Sequence, residues 1–166
     1  MPQSTQRPPK SRLRLENLFA KSMPLHARNE RPIEPALVLD ARIPVTFWRT
    51  GWFLRQIEDL CWRELTRETR TFPQTLRREH RGHPGYVIEE IGNFAVRLCP
   101  CSTKGRLGPF IPEGARLQIT GAEMDVRSYV VVACSSVIGR VNDLFEETPK
   151  FLGIFPPDQL HYEEQA

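Results

Sequence analysis

The sequence predicts a mainly β (α+β) protein: a small antiparallel barrel that follows an amino-terminal extension containing one helix. After Gly82, short apolar or alternating runs recur at close spacing, and Gly- and Pro-containing turns separate them. No gap between these runs is long enough for a crossover helix, so neighbouring strands are expected to pair in antiparallel fashion. These two observations together indicate a barrel of five or more strands.

Length and composition limit the possibilities further. A chain of 166 residues has room for one ordinary domain and an extended arm, but not for two full domains. Its hydrophobic fraction of 40% and its nine Phe residues are sufficient to build a core. The fifteen Pro residues divide the chain into short pieces, which favours strands and loops over a helical bundle.

Several function classes are disfavoured by the same sequence. No run of about 18 apolar residues occurs, so we expect no membrane partner. The amino terminus is basic and Pro-rich without an apolar stretch behind it, which favours a cytoplasmic protein over a secreted one. The cysteines form no C-x-x-C pair, so we interpret them as buried, reduced thiols and predict neither a metal nor a cofactor. They are Cys61, Cys99, Cys101 and Cys134.

Residues 1–35 are predicted to form a flexible, basic, Pro-rich arm. Its Pro and charge content prevents it from forming a core of its own. Within it, Leu15, Leu18 and Phe19 follow i, i+3, i+4 spacing, so this piece is expected to fold as one or two helical turns onto a protein partner.

Residues 36–82 are predicted to hold a short strand at 36–39, an amphipathic helix within 46–69 and a basic loop. Trp52, Ile57 and Leu60 belong to the apolar stripe of that helix and are candidate partner-binding anchors. An alternative interpretation makes 59–65 a strand, with Leu60 on one side of it. The sequence leaves both open.

The barrel is assigned to residues 83–166. Tyr86, Ile88, Val96, Leu98, Val130 and Val132 are predicted to fill its interior, because they lie in apolar or alternating runs. The predicted strands cover 86–88, 94–99, 116–120, 128–133, 137–141 and 151–154, and a final helical turn begins at 157.

Four short motifs in this half occur in a defined order. His83-Pro84 precedes an aliphatic strand, and the next strand ends in Pro-Cys-Ser-Thr-Lys at 100–104. A loop with Gly and Pro follows at 105–112, and apolar strands and a closing turn complete the chain. In this order and spacing, residues 83–160 resemble the MazF/PemK toxin family, whose strand-end signature is Pro-x-Ser/Thr-Ser/Thr.

The resemblance implies an SH3-like barrel and metal-independent cleavage of single-stranded RNA, in which a ribose 2′-OH attacks the adjacent phosphate. It places catalytic roles on His83 and Ser102. His83 stands where the family has Arg; an imidazole moves protons near neutral pH but does not grip a phosphate bidentately. The residues expected to contact RNA are Arg78, Arg81, Thr103 and Lys104.

Two functions therefore follow from the sequence. The first is a non-catalytic or degenerate MazF/PemK-like module that serves as a protein-interaction subunit of a prokaryotic defence or regulatory complex. The alternative is a toxin-type endoribonuclease that acts on single-stranded RNA. A protein partner fits the first function and RNA fits the second, while a homodimer is compatible with both.

Overall fold

The computed structural model describes residues 41–74, 82–104, 108–141, 145 and 148–163. The predicted arm and the predicted strand at 36–39 lie outside these ranges. The same is true of five of the predicted site residues, namely Leu15, Leu18, Phe19, Arg78 and Arg81. Within the described ranges, no helix has the length and apolar character needed to cross a bilayer.

The described chain folds as eight strands, one α-helix and three short 3-10 helices. β1 and the helix α1 follow each other without a loop, whereas turns or 3-10 helices separate most of the later strands. The bounds are β1 Trp52–Glu58, α1 Asp59–Leu65, β2 Gly82–Ile91, β3 Ala95–Ser102, β4 Pro109–Ile111, β5 Ser128–Val130, β6 Ser136–Gly139, β7 Lys150–Ile154 and β8 His161–Tyr162; the 3-10 helices are Val45–Phe47, Val132–Cys134 and Pro157–Gln159.

The strands form one curled antiparallel sheet, a half-barrel, which confirms the predicted mainly β fold. Its order is β7-β1-β2-β3-β5-β4-β8, and β6 pairs with the first half of β3. The strands predicted at 86–88 and 94–99 form an antiparallel hairpin, because β2 and β3 pair through six residue pairs around the turn at Gly92. Beyond β7, two backbone hydrogen bonds join Ile154 to Gln118 and continue the curl.

The concave face of the sheet holds the main core. Tyr86 on β2 lies opposite Cys99 on β3, and Cys101 lies opposite Val130 on β5. All four belong to one buried apolar cluster. The opposite face, called the outer face below, carries the residues that alternate with these along each strand.

Four of the six predicted interior residues are buried, namely Tyr86, Val96, Leu98 and Val130. Val96 and Leu98, however, alternate with Cys99 and point to the outer face. There Leu98 and Trp62 of α1 both lie close to Gly85. Ile88 is only partly buried. The prediction for Val132 is wrong: it is 42% exposed, because the chain leaves the sheet after β5 and enters a 3-10 helix.

The predicted helix within 46–69 is correct only for Asp59–Leu65, since Trp52–Glu58 is the strand β1. Both faces of β1 are covered, and Trp52, Phe53, Leu54 and Ile57 are all nearly fully buried. A strand with two buried faces has no polar–apolar alternation, and its apolar residues mimic helical spacing. The alternative strand at 59–65 is wrong.

The predicted strand at 116–120 is also wrong. This segment makes only isolated bridges, Arg116 to Glu123 and Gln118 to Ile154. Its backbone turns at Ile119, where φ is 73°, a conformation that no strand residue adopts.

Candidate functional site

The boundary between β1 and α1 places a carboxylate against a histidine of the next strand. Ile57 is paired with His83, and Asp59 follows two residues later as the first residue of α1. Oδ1 of Asp59 lies 2.5 Å from Nδ1 of His83. The Asp59 side chain is 6% exposed and the His83 side chain 31%. The pair therefore has a buried carboxylate at one end and a solvent-accessible imidazole at the other.

Two aromatic residues fix the position of His83. Nε1 of Trp62 donates to the backbone oxygen of His83 at 3.0 Å, and the ring of Trp62 is fully buried. The Phe72 ring meets the imidazole edge-on, with 4.9 Å between the centroids. Both the backbone and the ring of His83 are thus held by the segment that contains α1.

Thr66, just after α1, connects these two aromatic residues. Its Oγ1 donates to the backbone oxygen of Trp62 at 2.7 Å and accepts from the backbone N–H of Phe72 at 2.8 Å. Thr66 is fully buried, so both hydrogen bonds are shielded from water. The side chain of Thr66 sets where the chain turns back towards His83.

The hydrogen bond to Asp59 determines which ring nitrogen of His83 accepts a proton. A carboxylate accepts hydrogen bonds, so the contact assigns the imidazole proton to Nδ1. In the neutral ring, Nε2 is then the acceptor. The same arrangement orients the general base in serine hydrolases, where the aspartate holds the imidazole in the correct tautomer.

Ser102, at the end of β3, lies on the outer face, as His83 does near the start of β2. The β2–β3 ladder pairs Tyr86 with Cys99 and ends at the pair of Gly85 with Pro100. His83 lies two residues before Gly85, and Ser102 lies two residues after Pro100. By alternation, both side chains therefore point to the outer face. Oγ of Ser102 accepts the backbone N–H of Lys104 at 3.2 Å. Thr103 and Lys104 are exposed just beyond it.

The predicted partner-binding residues do not form one surface. Trp52 is 1% exposed and packs on Phe151 with ring centroids 4.5 Å apart, and Ile57 is 2% exposed. Both are core residues of the folded domain, so the prediction that they anchor a partner is wrong. Leu60, 62% exposed on α1, is accessible, and its role stays a prediction.

Asp59 is the functional candidate that the sequence analysis missed. It is 24 residues from His83 along the chain, and no motif or spacing connects the two. Only the length of β1 and its register with β2 bring them together. The sequence does carry one signal, an acidic residue at the first position of a short helix, but that pattern is typical of many helix starts.

The thiols are poor candidates for nucleophiles. Burial raises the pKa of Cys99 to about 12 and that of Cys61 to about 11. Because the thiolate is the reactive form, both side chains stay protonated near neutral pH. Across the ranges that the structure describes, no group of three or more His, Cys, Asp or Glu side chains is arranged to hold a metal ion.

The fold and the site thus define a small antiparallel β domain with a histidine–aspartate pair on its outer face. Comparisons with protein-family models, with curated proteins and with solved structures give no match to this chain. The likeness to the MazF/PemK family rests on the sequence motifs quoted above.

Proposed function

We propose that this protein is an endoribonuclease that cleaves single-stranded RNA by transesterification, with His83 as the general base. The supporting observation is the pairing of the buried Asp59 carboxylate with the partly exposed His83 imidazole at 2.5 Å. A histidine held in one tautomer by a buried carboxylate is suited to accept a proton through its other nitrogen. This property favours a catalytic protein. The histidine at the family's Arg position, taken alone, favoured the non-catalytic module instead.

The reaction follows from the pair. Nε2 of His83 accepts the proton of a ribose 2′-OH, and the 2′-oxygen attacks the adjacent phosphorus. The bond from phosphorus to the 5′-oxygen breaks, and the leaving oxygen takes a proton from water or from the His83 imidazolium. The products are a 2′,3′-cyclic phosphate and a 5′-OH. Ser102, half-buried at the end of β3, and Lys104, exposed just beyond it, supply a hydroxyl and a positive charge for the phosphate.

The first experiment measures cleavage of a single-stranded RNA by the full-length protein. His83→Ala and Ser102→Ala are each expected to slow cleavage by about 10²-fold or more, the usual size of a general acid–base contribution. Asp59→Asn keeps the shape of the side chain but offers an N–H to Nδ1, which favours the tautomer with the proton on Nε2. We expect the cleavage rate of this variant to fall by about 10²- to 10⁴-fold, as it does when the aspartate beside the histidine of a serine protease is replaced by asparagine.

The controls separate chemistry from folding. Asp158→Asn, an exposed aspartate on the last 3-10 helix, should leave cleavage unchanged. An RNA with one 2′-deoxyribose should resist cleavage at that position only, because the attacking oxygen is missing there. Wild-type protein that leaves RNA intact would refute the proposal, and so would an Asp59→Asn variant of full activity.

A second function, the interaction subunit of a prokaryotic defence or regulatory complex in the cytoplasm, is favoured by a different observation. Phe94 is 71% exposed at the β2–β3 turn, and Val141 is 96% exposed beside it. The Arg140 N–H donates to the Phe94 oxygen and keeps the two segments adjacent. Neighbouring exposed apolar side chains are typical of protein contacts.

Purification from the native host tests this second function. A partner that stays bound to the wild-type protein and is lost from a Phe94→Asp variant would support it. Light scattering on the purified protein separates a foreign partner from a homodimer. Identical co-purifying proteins for the wild type and the variant would count against this surface.

A further inference from the structure

A second group of polar side chains lies on the outer face, one strand beyond Ser102. Tyr129 on β5 pairs with Ser102 on β3 and with Phe110 on β4. Because paired residues in an antiparallel sheet point to the same face, these three side chains form a row. Their neighbours Cys101 and Ile111 point into the core instead. The row therefore continues the surface that carries His83 and Ser102.

Two donors, Tyr129 of this row and Arg127 just before β5, converge on one carboxylate oxygen. Nη1 of Arg127 lies 3.1 Å from Oε1 of Glu163, and the Tyr129 hydroxyl lies 2.5 Å from the same oxygen. Nη1 of Arg127 is also 3.2 Å from the Tyr129 hydroxyl. A guanidinium and a phenol that share one oxyanion match the donors that a phosphate oxygen needs.

The Arg127 side chain is held in place before any ligand binds. Its guanidinium carbon lies 4.3 Å from the centroid of the Phe110 ring, within the range of a cation–π contact. Phe110 itself is buried and packs against Tyr129 with centroids 5.4 Å apart. Aromatic packing thus orients both donors, although the Arg127 side chain is still 49% exposed.

Glu163, in contrast, lies in an exposed segment of the chain. It follows β8, a strand of only two residues, His161–Tyr162, which pairs with β4. Both residues of β8 are exposed. The Arg127–Glu163 ion pair is open to solvent on both sides, and such pairs contribute little to stability. An external anion can therefore reach the two donors and compete for them with the Glu163 carboxylate.

We propose that Arg127 and Tyr129 bind a phosphate group of single-stranded RNA, and that Glu163 occupies this site until the RNA displaces it. The inference rests on the proposed endoribonuclease function, because it places the site on the same outer face. Neighbouring strands are about 4.8 Å apart, so the site lies about one strand from Ser102 and two from His83. Its phosphate then belongs to a nucleotide next to the one that is cleaved.

The test measures binding without cleavage. Fluorescence anisotropy with a labelled single-stranded RNA that carries 2′-O-methyl groups reports the dissociation constant of the full-length protein. Arg127→Ala should weaken binding about tenfold. It should also reduce the slope of the logarithm of the binding constant against the logarithm of the salt concentration by the amount of about one phosphate contact. Glu163→Gln should strengthen binding several-fold, since the competing charge is removed. A gain of affinity is not produced by misfolding, so the second variant protects the test against an unstable first one.

Arg97→Ala and Glu89→Gln are the matched controls. These residues form an exposed Arg–Glu ion pair at 2.6 Å, elsewhere on β2 and β3. Removing either charge should change RNA affinity less than the corresponding change at Arg127 or Glu163. Equal effects at both pairs would show a general charge effect and overturn the site.

The outcomes also separate this inference from the proposed function. If the RNA binds as described but natural RNA stays intact, the phosphate site stands and the catalytic proposal fails. If RNA is cleaved while Arg127→Ala and Glu163→Gln bind it like the wild type, the catalytic proposal stands and this one fails. No binding of RNA by any of the proteins overturns the phosphate site.

Discussion

Gly85 on β2 is a position where Trp62 of α1 packs close to the sheet backbone. A Cβ atom at this position would lie 2.9 Å from Cδ1 of Ile57, 3.1 Å from Cδ1 of Leu98 and 3.1 Å from Cζ2 of Trp62. Cβ atoms essentially never lie within 3.0 Å of another atom and rarely within 3.4 Å, so Ile57 must shift and the other two side chains must give by a few tenths of an ångström. Gly85→Ala is therefore a direct test of how the helix that carries Asp59 sits on the sheet.

The expected magnitude is a balance of two effects. Overpacking a buried site typically costs about 1–3 kcal/mol. Replacing a glycine inside a strand by alanine returns about 0.5–1 kcal/mol, because the unfolded chain loses freedom. The steric effect wins here, since all three contacts are with nearly fully buried side chains. We expect a net loss of about 1–2 kcal/mol in the free energy of unfolding.

Thermal unfolding followed by circular dichroism provides the measurement, and about 2–4 °C of Tm is expected per kcal/mol at this chain length. Gly139→Ala on β6 is the matched control, because its Cβ would meet nothing closer than the Val141 oxygen at 3.8 Å. That variant should be neutral or slightly stabilised. In the RNA assay, Gly85→Ala should also lose activity, because the Trp62 ring that must move donates to the His83 backbone. Equal Tm values for the two alanine variants would refute this packing of α1.

Three further predictions concern single residues, of which Thr66 and Tyr86 are buried and Cys61 is half-buried. Thr66→Val removes the acceptor of the Phe72 N–H, so the free energy of unfolding in urea should fall by about 1–3 kcal/mol, and an unchanged midpoint would contradict the described turn. Tyr86→Phe removes the hydrogen bond to the Phe155 oxygen at 2.6 Å, with an expected loss of about 1–2 kcal/mol in the same experiment; a fully stable variant would contradict it. Burial raises the pKa of Cys61 to about 11, so its thiolate fraction is small at pH 8 and grows about tenfold per pH unit. The rate of alkylation by iodoacetamide should therefore also rise about tenfold per pH unit. A rate that reaches a plateau below pH 9 would disprove the raised pKa.

Most strands after Gly82 were predictable because their signals are local, whereas β4 and β8 were not predicted. The hairpin of β2 and β3, the run in β5 and the closing turn at 157 each follow from apolar patterning and nearby turn residues. β1 was not predictable in the same way. Its type depends on the strands that pair with it, and β7, whose Phe151 packs on Trp52, is distant in the chain.

The residues of the candidate site also divide into those with a local sequence signal and those brought together only by the fold. His83 and Ser102 were identified from short motifs, and the register of β2 with β3 puts both on the outer face. Asp59 had no local signal that pointed to His83. The same holds for Arg127 and Glu163, whose contact spans 36 residues and depends on β8 returning to β4.

The sequence by itself determined the class of the fold, the order of most strands after Gly82 and the residue types available for chemistry, because these follow from patterns within about ten residues. The tertiary structure alone decided which groups act together. Strand register and the close approach of α1 at Gly85 set the Asp59–His83 pair, and the return of the carboxy-terminal strand set the Arg127–Tyr129–Glu163 cluster. Side-chain partners across a sheet are fixed by long-range pairing, and no local pattern encodes the register between segments so far apart.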